Sequence, residues 1–287
     1  MPNAPLLSAL NTAAEQVWLE RHTEWPGLSV EVRPEVGSTN TQLLQQGREG
    51  RCEPSVLVAL AQTAGRGRLG RTWLSTPGDT LTFSVGLPLD LQAVPGGGSA
   101  LSLAVGLALA ESLDALSPHG AIGLKWPNDL WVGERKLGGI LIEAAPAPGL
   151  PPSQRWVVIG VGLNVQGPPP HPDACGLRTG GGASSPSDPA LPGQVLAKVL
   201  PALLDAVRSY LQTGFAPLQA RFAERDVLQG RAVNLWRHAV ASTAPGAEQA
   251  AQCLGVDADG ALLVHTAAGR QRWTSGDVSV RPAPSRC

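Results

Sequence analysis

A strand-like run at residues 55–63 (SVLVALAQT) enters the segment GRGRLGRTW at 65–73, and a second at 79–89 (DTLTFSVGLPL) follows it. This order restricts the fold more than any other feature. Residues 65–70 satisfy GxGxxG, and Asp90 lies near the spacing at which a dinucleotide fold keeps its acidic residue. That fingerprint needs a helix directly behind the glycines, because the pyrophosphate rests on the helix N-terminus. Here RTWLSTPGDTL follows, with Pro77, Gly78 and several β-branched residues, and it reads as strand and turn. A Walker A loop would end in GK[ST], and a kinase loop would be followed by VAIK, HRD and DFG segments; the chain has none of them. What remains is a glycine-rich turn between strands that carries three arginines. Its glycines let backbone approach a ligand closely, and its arginines suit an anion.

Around this turn the chain reads as a mixture of helices and strands. Residues 5–22 have helical spacing, 29–36 (SVEVRPEV) alternate like a strand, and 38–47 (STNTQLLQQG) begin a capped helix. An apolar helix is expected over 98–116. Residues 121–132 (AIGLKWPNDLWV) and 136–145 (KLGGILIEAA) read as two strands joined at Gly133-Glu134, and 155–165 (RWVVIGVGLNV) as a further strand. Gly160 and Gly162 there bend the strand or admit another backbone. Low-complexity stretches at 145–152 and 167–193 read as surface loops, and 194–225 as helix. From about Gly230 the pattern changes to short strands with a DADG hairpin turn at 257–260. The expected fold is therefore α+β in two domains. Residues 1–225 form a mixed sheet flanked by helices, and 226–287 form a small β-barrel.

Composition excludes several classes. The net charge of −1 and the 43% hydrophobic content belong to an ordinary globular chain, without a polybasic coat for nucleic acid or membrane. Cys52, Cys175, Cys253 and Cys287 are too scattered for a zinc site or a disulfide framework. No signal peptide is read, and the longest apolar stretch, around 100–110, is broken by Ser102 and Gly106 and falls short of a membrane span. The expectation is a reduced, cytoplasmic protein. Scarce residues carry more information. Only three lysines occur against nineteen arginines, and Lys125 and Lys136 fall within twelve residues of one another. Of six asparagines, Asn40, Asn128 and Asn164 stand in candidate site segments.

Each of these segments also has a plain structural reading. Ser38-Thr39-Asn40 would cap a helix, and Gln62 would end a strand facing solvent. Lys125-Trp126-Pro127-Asn128-Asp129 would be a turn beside a core tryptophan, and Lys136 a hairpin-turn residue. The functional alternative is a polar cluster for a small ring, next to cations and a carboxylate.

Taken together, STN at 38–40, AQTAGRGRLGRTW at 61–73, KWPNDL at 125–130, KLGGILIE at 136–143 and IGVGLN at 159–164 resemble the biotin protein ligases. The resemblance runs from about Val30 to the C-terminus. It implies a catalytic domain like that of class II aminoacyl-tRNA synthetases and biotin ligases, followed by an SH3-like β-barrel. The implied activity is conversion of biotin and ATP to biotinyl-5′-AMP, with Mg²⁺, and transfer of biotin to a lysine of the biotin carboxyl carrier protein of acetyl-CoA carboxylase. By the same resemblance Ser38, Thr39, Asn40, Gln62, Arg66, Gly67, Arg68 and Lys136 line the biotin site. Arg71 and Trp73 close the loop over the adenylate, Asn128, Asp129 and Asn164 face the nucleotide and its metal, and Arg281 reaches ATP from the small domain. Lys136, Arg66, Arg68 and Asp129 are the catalytic set, and no protein metal ligand is assigned. Homodimers are common among such proteins. Only 37 residues precede Ser38, too few for the winged-helix domain of the family's repressors, so DNA is not an expected partner; nor is a membrane, since neither a span nor a polybasic anchor is read. Asp277 stands where some relatives have glutamate. The rivals are a lipoate-type ligase on the same fold and a non-catalytic biotin-responsive regulator.

Overall fold

The computed structural model describes residues 3–166, 171, 173–178, 188–237, 248–274 and 278–282. Its larger sheet has seven strands: β1 (Ser29–Val36), β2 (Ser55–Gln62), β3 (Thr80–Leu89), β4 (Gly123–Lys125), β5 (Asp129–Val132), β6 (Arg135–Ala145) and β7 (Arg155–Asn164). Their order across the sheet is β1-β2-β3-β7-β6-β5-β4. β1 and β2 are parallel and every other pair is antiparallel, so the sheet is mixed as expected.

Side chains alternate across a strand, so each strand of this sheet serves two faces. Leu81, Phe83, Val85 and Leu87 of β3 and Val157, Ile159, Val161 and Leu163 of β7 join the main core. That face is covered by α1 (Ala4–Arg21), α3 (Leu101–Leu113) and α4 (Leu191–Thr213). The helical run 98–116 is long and apolar enough to cross a membrane, contrary to the shorter stretch read from sequence. It is nevertheless a core helix. Val105, Leu109, Ala110 and Leu113 are fully buried, each larger side chain worth about 1.5–3 kcal/mol on burial. On the opposite face, α2 (Thr39–Arg48) lies over Leu57, Trp156 and Val158.

Three further expectations change in the structure. Residues 121–132 are not one strand: β4 and β5 are antiparallel partners folded back through 126–128, where the Trp126–Pro127 bond is cis. The helix expected over 194–225 starts earlier, at Leu191, and stops at Thr213. Gly214 follows at φ 68° with its N–H on Tyr210 O, a left-handed position that glycine reaches at low cost. A 3₁₀ turn and the short helix α5 (Gln219–Ala223) complete that segment. Residues 173–178, expected as featureless loop, bond to both β6 and β7 through Lys136 and Asn164.

The second sheet contains β8 (Ala232–Arg237), β9 (Glu248–Val256), β10 (Leu262–Thr266), β11 (Gly269–Trp273) and β12 (Val278–Pro282), in the order β11-β10-β9-β8-β12 and all antiparallel. The 257–260 hairpin turn packs against the larger unit. Gly260 O accepts from Trp126 Nε1 at 3.1 Å, and a Cβ on Gly260 would lie 2.4 Å from Ala100 Cβ. Residues 225 and 226, between which the domain boundary is expected, lie in a segment paired with β4. Leu124 N donates to Arg225 O at 2.7 Å and Val227 N to Leu124 O at 3.0 Å.

Candidate active site

The α2 face of the sheet is where β3, β6 and β7 give up bulk. Thr82 and Ser84 of β3, Gly139 of β6, and Gly160 and Gly162 of β7 leave room above the strands. The two β7 glycines admit side chains, rather than the bend or second backbone that the sequence offered as alternatives. A Cβ on Gly160 would lie 2.0 Å from Asn40 Oδ1, and one on Gly162 would lie 2.4 Å from the Trp73 ring. Above them lies a cavity of about 160 Å³ between the start of α2, the glycine turn and the 125–129 segment.

The start of α2 supplies the polar end. Ser38 caps the helix, its Oγ accepting from Thr41 N at 3.4 Å, and it also lines the cavity. Thr39 N donates to Gln62 Oε1 at 2.8 Å, placing the end of β2 against the helix start. Ser84 Oγ lies 2.7 Å from Thr39 Oγ1 and 2.6 Å from Asn40 Oδ1, while Asn40 Nδ2 donates to Glu143 Oε2 at 3.0 Å. Buried polar groups are costly without partners, and this cluster pairs its own.

The glycine turn folds as a small hairpin. Gly67 N donates to Arg71 O and Trp73 N to Gly65 O, at 2.7 and 2.9 Å. Gly65 must lack a side chain, because its Cβ would fall 2.3 Å from Trp73 O, and Gly70 takes φ 71° after Leu69 at φ 56°. The hairpin directs its cations inward. Arg66 pairs with Glu143 at 3.0 Å and Arg68 Nη1 donates to Asn128 Oδ1 at 3.3 Å. Across the cavity, Lys136 Nζ sits 2.7 Å from Asp129 Oδ1. Gly139 makes room for that pair; its Cβ would lie 3.1 Å from Nζ. Arg66, Arg68, Arg71, Lys125 and Lys136 all reach the described lining, which contains a single carboxylate, Asp129. With Glu143 counted behind Arg66, five cations face two carboxylates, an excess of positive charge that suits an anion.

Of the residues named from sequence, Ser38, Thr39, Asn40, Gln62, Arg66, Gly67, Arg68, Arg71, Trp73, Asn128, Asp129 and Lys136 come together around this cavity. Asn164 does not reach the lining. It ends β7 behind Lys136, with Nδ2 3.4 Å from Lys136 O. Arg281 of β12 pairs with Asn234 of β8 and its neighbour Val280 lines the cavity, but the Arg281 side chain and Asp277 lie outside the described residues. Sequence reasoning passed over Ser84, Glu143 and the lining role of Lys125, whose ammonium lies 4.9 Å from the Trp131 ring. The alternation of small or polar with large apolar residues in TLTFSV was the available signal for Ser84. Among the described residues no group of three or more His, Cys, Asp or Glu could hold a metal, and Cys52, Cys175 and Cys253 are free thiols pushed upward in pKa by burial.

Residues 33–164 match the biotin/lipoate A/B protein ligase family, and 251–281 match the biotin protein ligase C-terminal domain. The biotin–[acetyl-CoA-carboxylase] ligase of Paracoccus denitrificans is 31% identical over 247 residues, 84% of this chain and 96% of that protein. The chain belongs to the biotin protein ligases. The bifunctional ligase/repressor BirA of Salmonella typhimurium is 32% identical to this ligase over 263 residues, covering 91% of the chain and 77% of its relative. A solved biotin protein ligase from Aquifex aeolicus, in complex with biotin and ATP, superposes with a TM-score of 0.69 at 27% identity, over 89% of this chain and 99% of that one. The fold expectation holds, including the small C-terminal antiparallel sheet of the SH3-like type.

Proposed function

We propose that this ligase joins biotin to ATP at the cavity under α2, forming biotinyl-5′-AMP, and passes the biotinyl group to a lysine of the biotin carboxyl carrier domain of an acetyl-CoA carboxylase in the cytoplasm. The observation that carries the reading is the arrangement of one cavity. A self-paired amide and hydroxyl cluster (Thr39, Asn40, Gln62) stands at one side, flanked by the Arg66–Glu143 pair, and the cations Arg68 and Lys136 stand toward the other. Biotin has matching ends: a ureido ring needing paired donors and acceptors, and a carboxylate.

In the first half-reaction a biotin carboxylate oxygen bonds to the α-phosphorus of ATP, and the bond to the β-phosphate bridge breaks, releasing pyrophosphate. Two anions must meet, so catalysis consists largely of fixed positive charge at the point of contact. Lys136 supplies a compact ammonium, held by Asp129. Arg66 and Arg68 supply forked donors from the glycine hairpin, and Gly67 lets that backbone come close. Magnesium enters with ATP as part of the substrate. Asn128, Arg71 and Trp73 are assigned to the nucleotide side, with Arg281 reaching it from the small domain; Asn164 acts from behind, through the backbone of Lys136. In the second half-reaction the neutral acceptor amine bonds to the acyl carbon and AMP leaves with the bonding pair, while Asp129 accepts a hydrogen bond from the incoming amine and the surplus amine proton passes to solvent. No enzyme nucleophile is needed. The hairpin at 65–73 shields the mixed anhydride from water between the steps.

Incubation with MgATP and either biotin or lipoate, followed by mass spectrometry, tests this. Biotinyl-AMP from biotin alone is the expected product. Lipoyl-AMP would overturn the ring assignment, and no adenylate from either acid would favour a binding regulator.

A further inference from the structure

Two side chains outside the cavity lining, Ser84 and Glu143, stand directly behind two that form it, Thr39 and Asn40. Counting protons along this row fixes its polarity. Asn40 Nδ2 lies 3.0 Å from Glu143 Oε2 and 3.3 Å from Leu141 O, and both can only accept. The amide nitrogen is therefore committed to that side, and Asn40 Oδ1 faces Ser84 Oγ at 2.6 Å. An amide oxygen only accepts, so it takes the single Ser84 proton. Ser84 Oγ must then accept across its 2.7 Å contact with Thr39 Oγ1, and the Thr39 hydroxyl donates there. Thr39 has no second proton for its longer, 3.2 Å contact with Gln62 Oε1, which instead receives the Thr39 backbone N–H at 2.8 Å. Thr39 thus turns a lone pair, and no proton, toward the cavity.

We propose that Glu143 is a specificity-determining positioning residue. Through Asn40 and Ser84 it sets Thr39 as a hydrogen-bond acceptor, so the site selects a ring that presents N–H at that point. This rests on the biotin reading above, in which the ring is the ureido ring. Arg66, 3.0 Å from Glu143 Oε1, holds the carboxylate in place from the cavity side. A glutamine at 143 has the same shape but can offer Asn40 an N–H, which lets the amide turn and the row reverse.

The test compares biotin with its two cyclic carbamate analogues, in which a ring oxygen replaces one ureido N–H, by titration calorimetry on the full chain. The wild type is expected to prefer biotin over one analogue by about 100-fold or more, because oxygen there would face the Thr39 lone pair. Glu143→Gln should reduce that ratio by about tenfold or more. Ser84→Ala should do the same while leaving the Arg66 pair intact, and it serves if Glu143→Gln fails to fold. Loss of the Arg66 contact weakens both ligands alike and cancels in the ratio. Biotin binding with an unchanged ratio in both variants, or no preference in the wild type, would overturn the role of Glu143 and leave the biotin reading standing. Failure of the wild type to bind biotin would overturn both.

Discussion

On the face of the large sheet that meets α1, α3 and α4, β3 and β7 present Leu81, Phe83, Val85, Val157, Ile159 and Leu163. On the α2 face the same two strands present Thr82, Ser84 and Gly86, then Trp156, Gly160 and Gly162. One face is filled by its own strands. The other is left low over the cavity, where Asn40 over Gly160 and the Trp73 ring over Gly162 come from elsewhere, while the Trp156 ring of β7 itself covers Gly86. A period-two strand can therefore serve stability and ligand binding at once, provided the small residues all fall on one side.

Breaking the filled face should give the largest effect. Leu87→Ala removes a fully buried side chain outside the cavity lining and is expected to cost about 2–5 kcal/mol in urea denaturation, with the adenylation rate per folded molecule little changed. On the open face the sign of the comparison reverses. Lys136→Ala should lower biotinyl-AMP formation by roughly 10²–10³-fold in single-turnover assays, with a melting temperature near that of the wild type. Gly86→Ala sharpens the contrast within that face, because it lies under α2 but outside the cavity lining. Its Cβ would meet the Trp156 ring at 2.3 Å, so stability should fall by about 1–3 kcal/mol while calorimetry shows unchanged biotin affinity.

The smallest effect lies off both faces, at the join between the sheets. Burial pushes the Asp226 carboxyl up to about 6, and its Oδ2 has no partner. Between about pH 4 and 6 the folded chain keeps a proton that the unfolded chain has released, so stability falls as pH rises through that window. Asp226→Asn should remove this slope and be more stable than the wild type above pH 7, by at most about 3 kcal/mol, with the difference vanishing below pH 4. Urea titrations across pH would read it directly.

Much of this division was legible before any coordinates. The glycine turn between two strands, the STN cap and the paired lysines identified the cavity walls, because a close backbone approach and a charged ligand both demand unusual residues. Ser84 and Glu143 were missed because their work is done behind the lining: Glu143 reads as one acidic residue at the end of an apolar strand. The break at 126–128 was present as the alternative turn reading of residues 125–129, but the apolar residues of 121–124 and 130–132 read as one strand across it. Residues 173–178 were hidden by composition, since their bonds to Lys136 and Asn164 run through the backbone and leave no side-chain pattern. Gly214, with Pro217 just beyond it, was a readable stop for α4.

The central claim is that one cavity under α2 holds a ureido ring at one end and gathers anions at the other. A crystal structure of the chain with biotin tests it most directly. The account predicts the ring against Thr39 and Gln62, with the carboxylate turned toward the Arg68 and Lys136 side. Biotin bound elsewhere, or reversed with its carboxylate on Thr39, would contradict it.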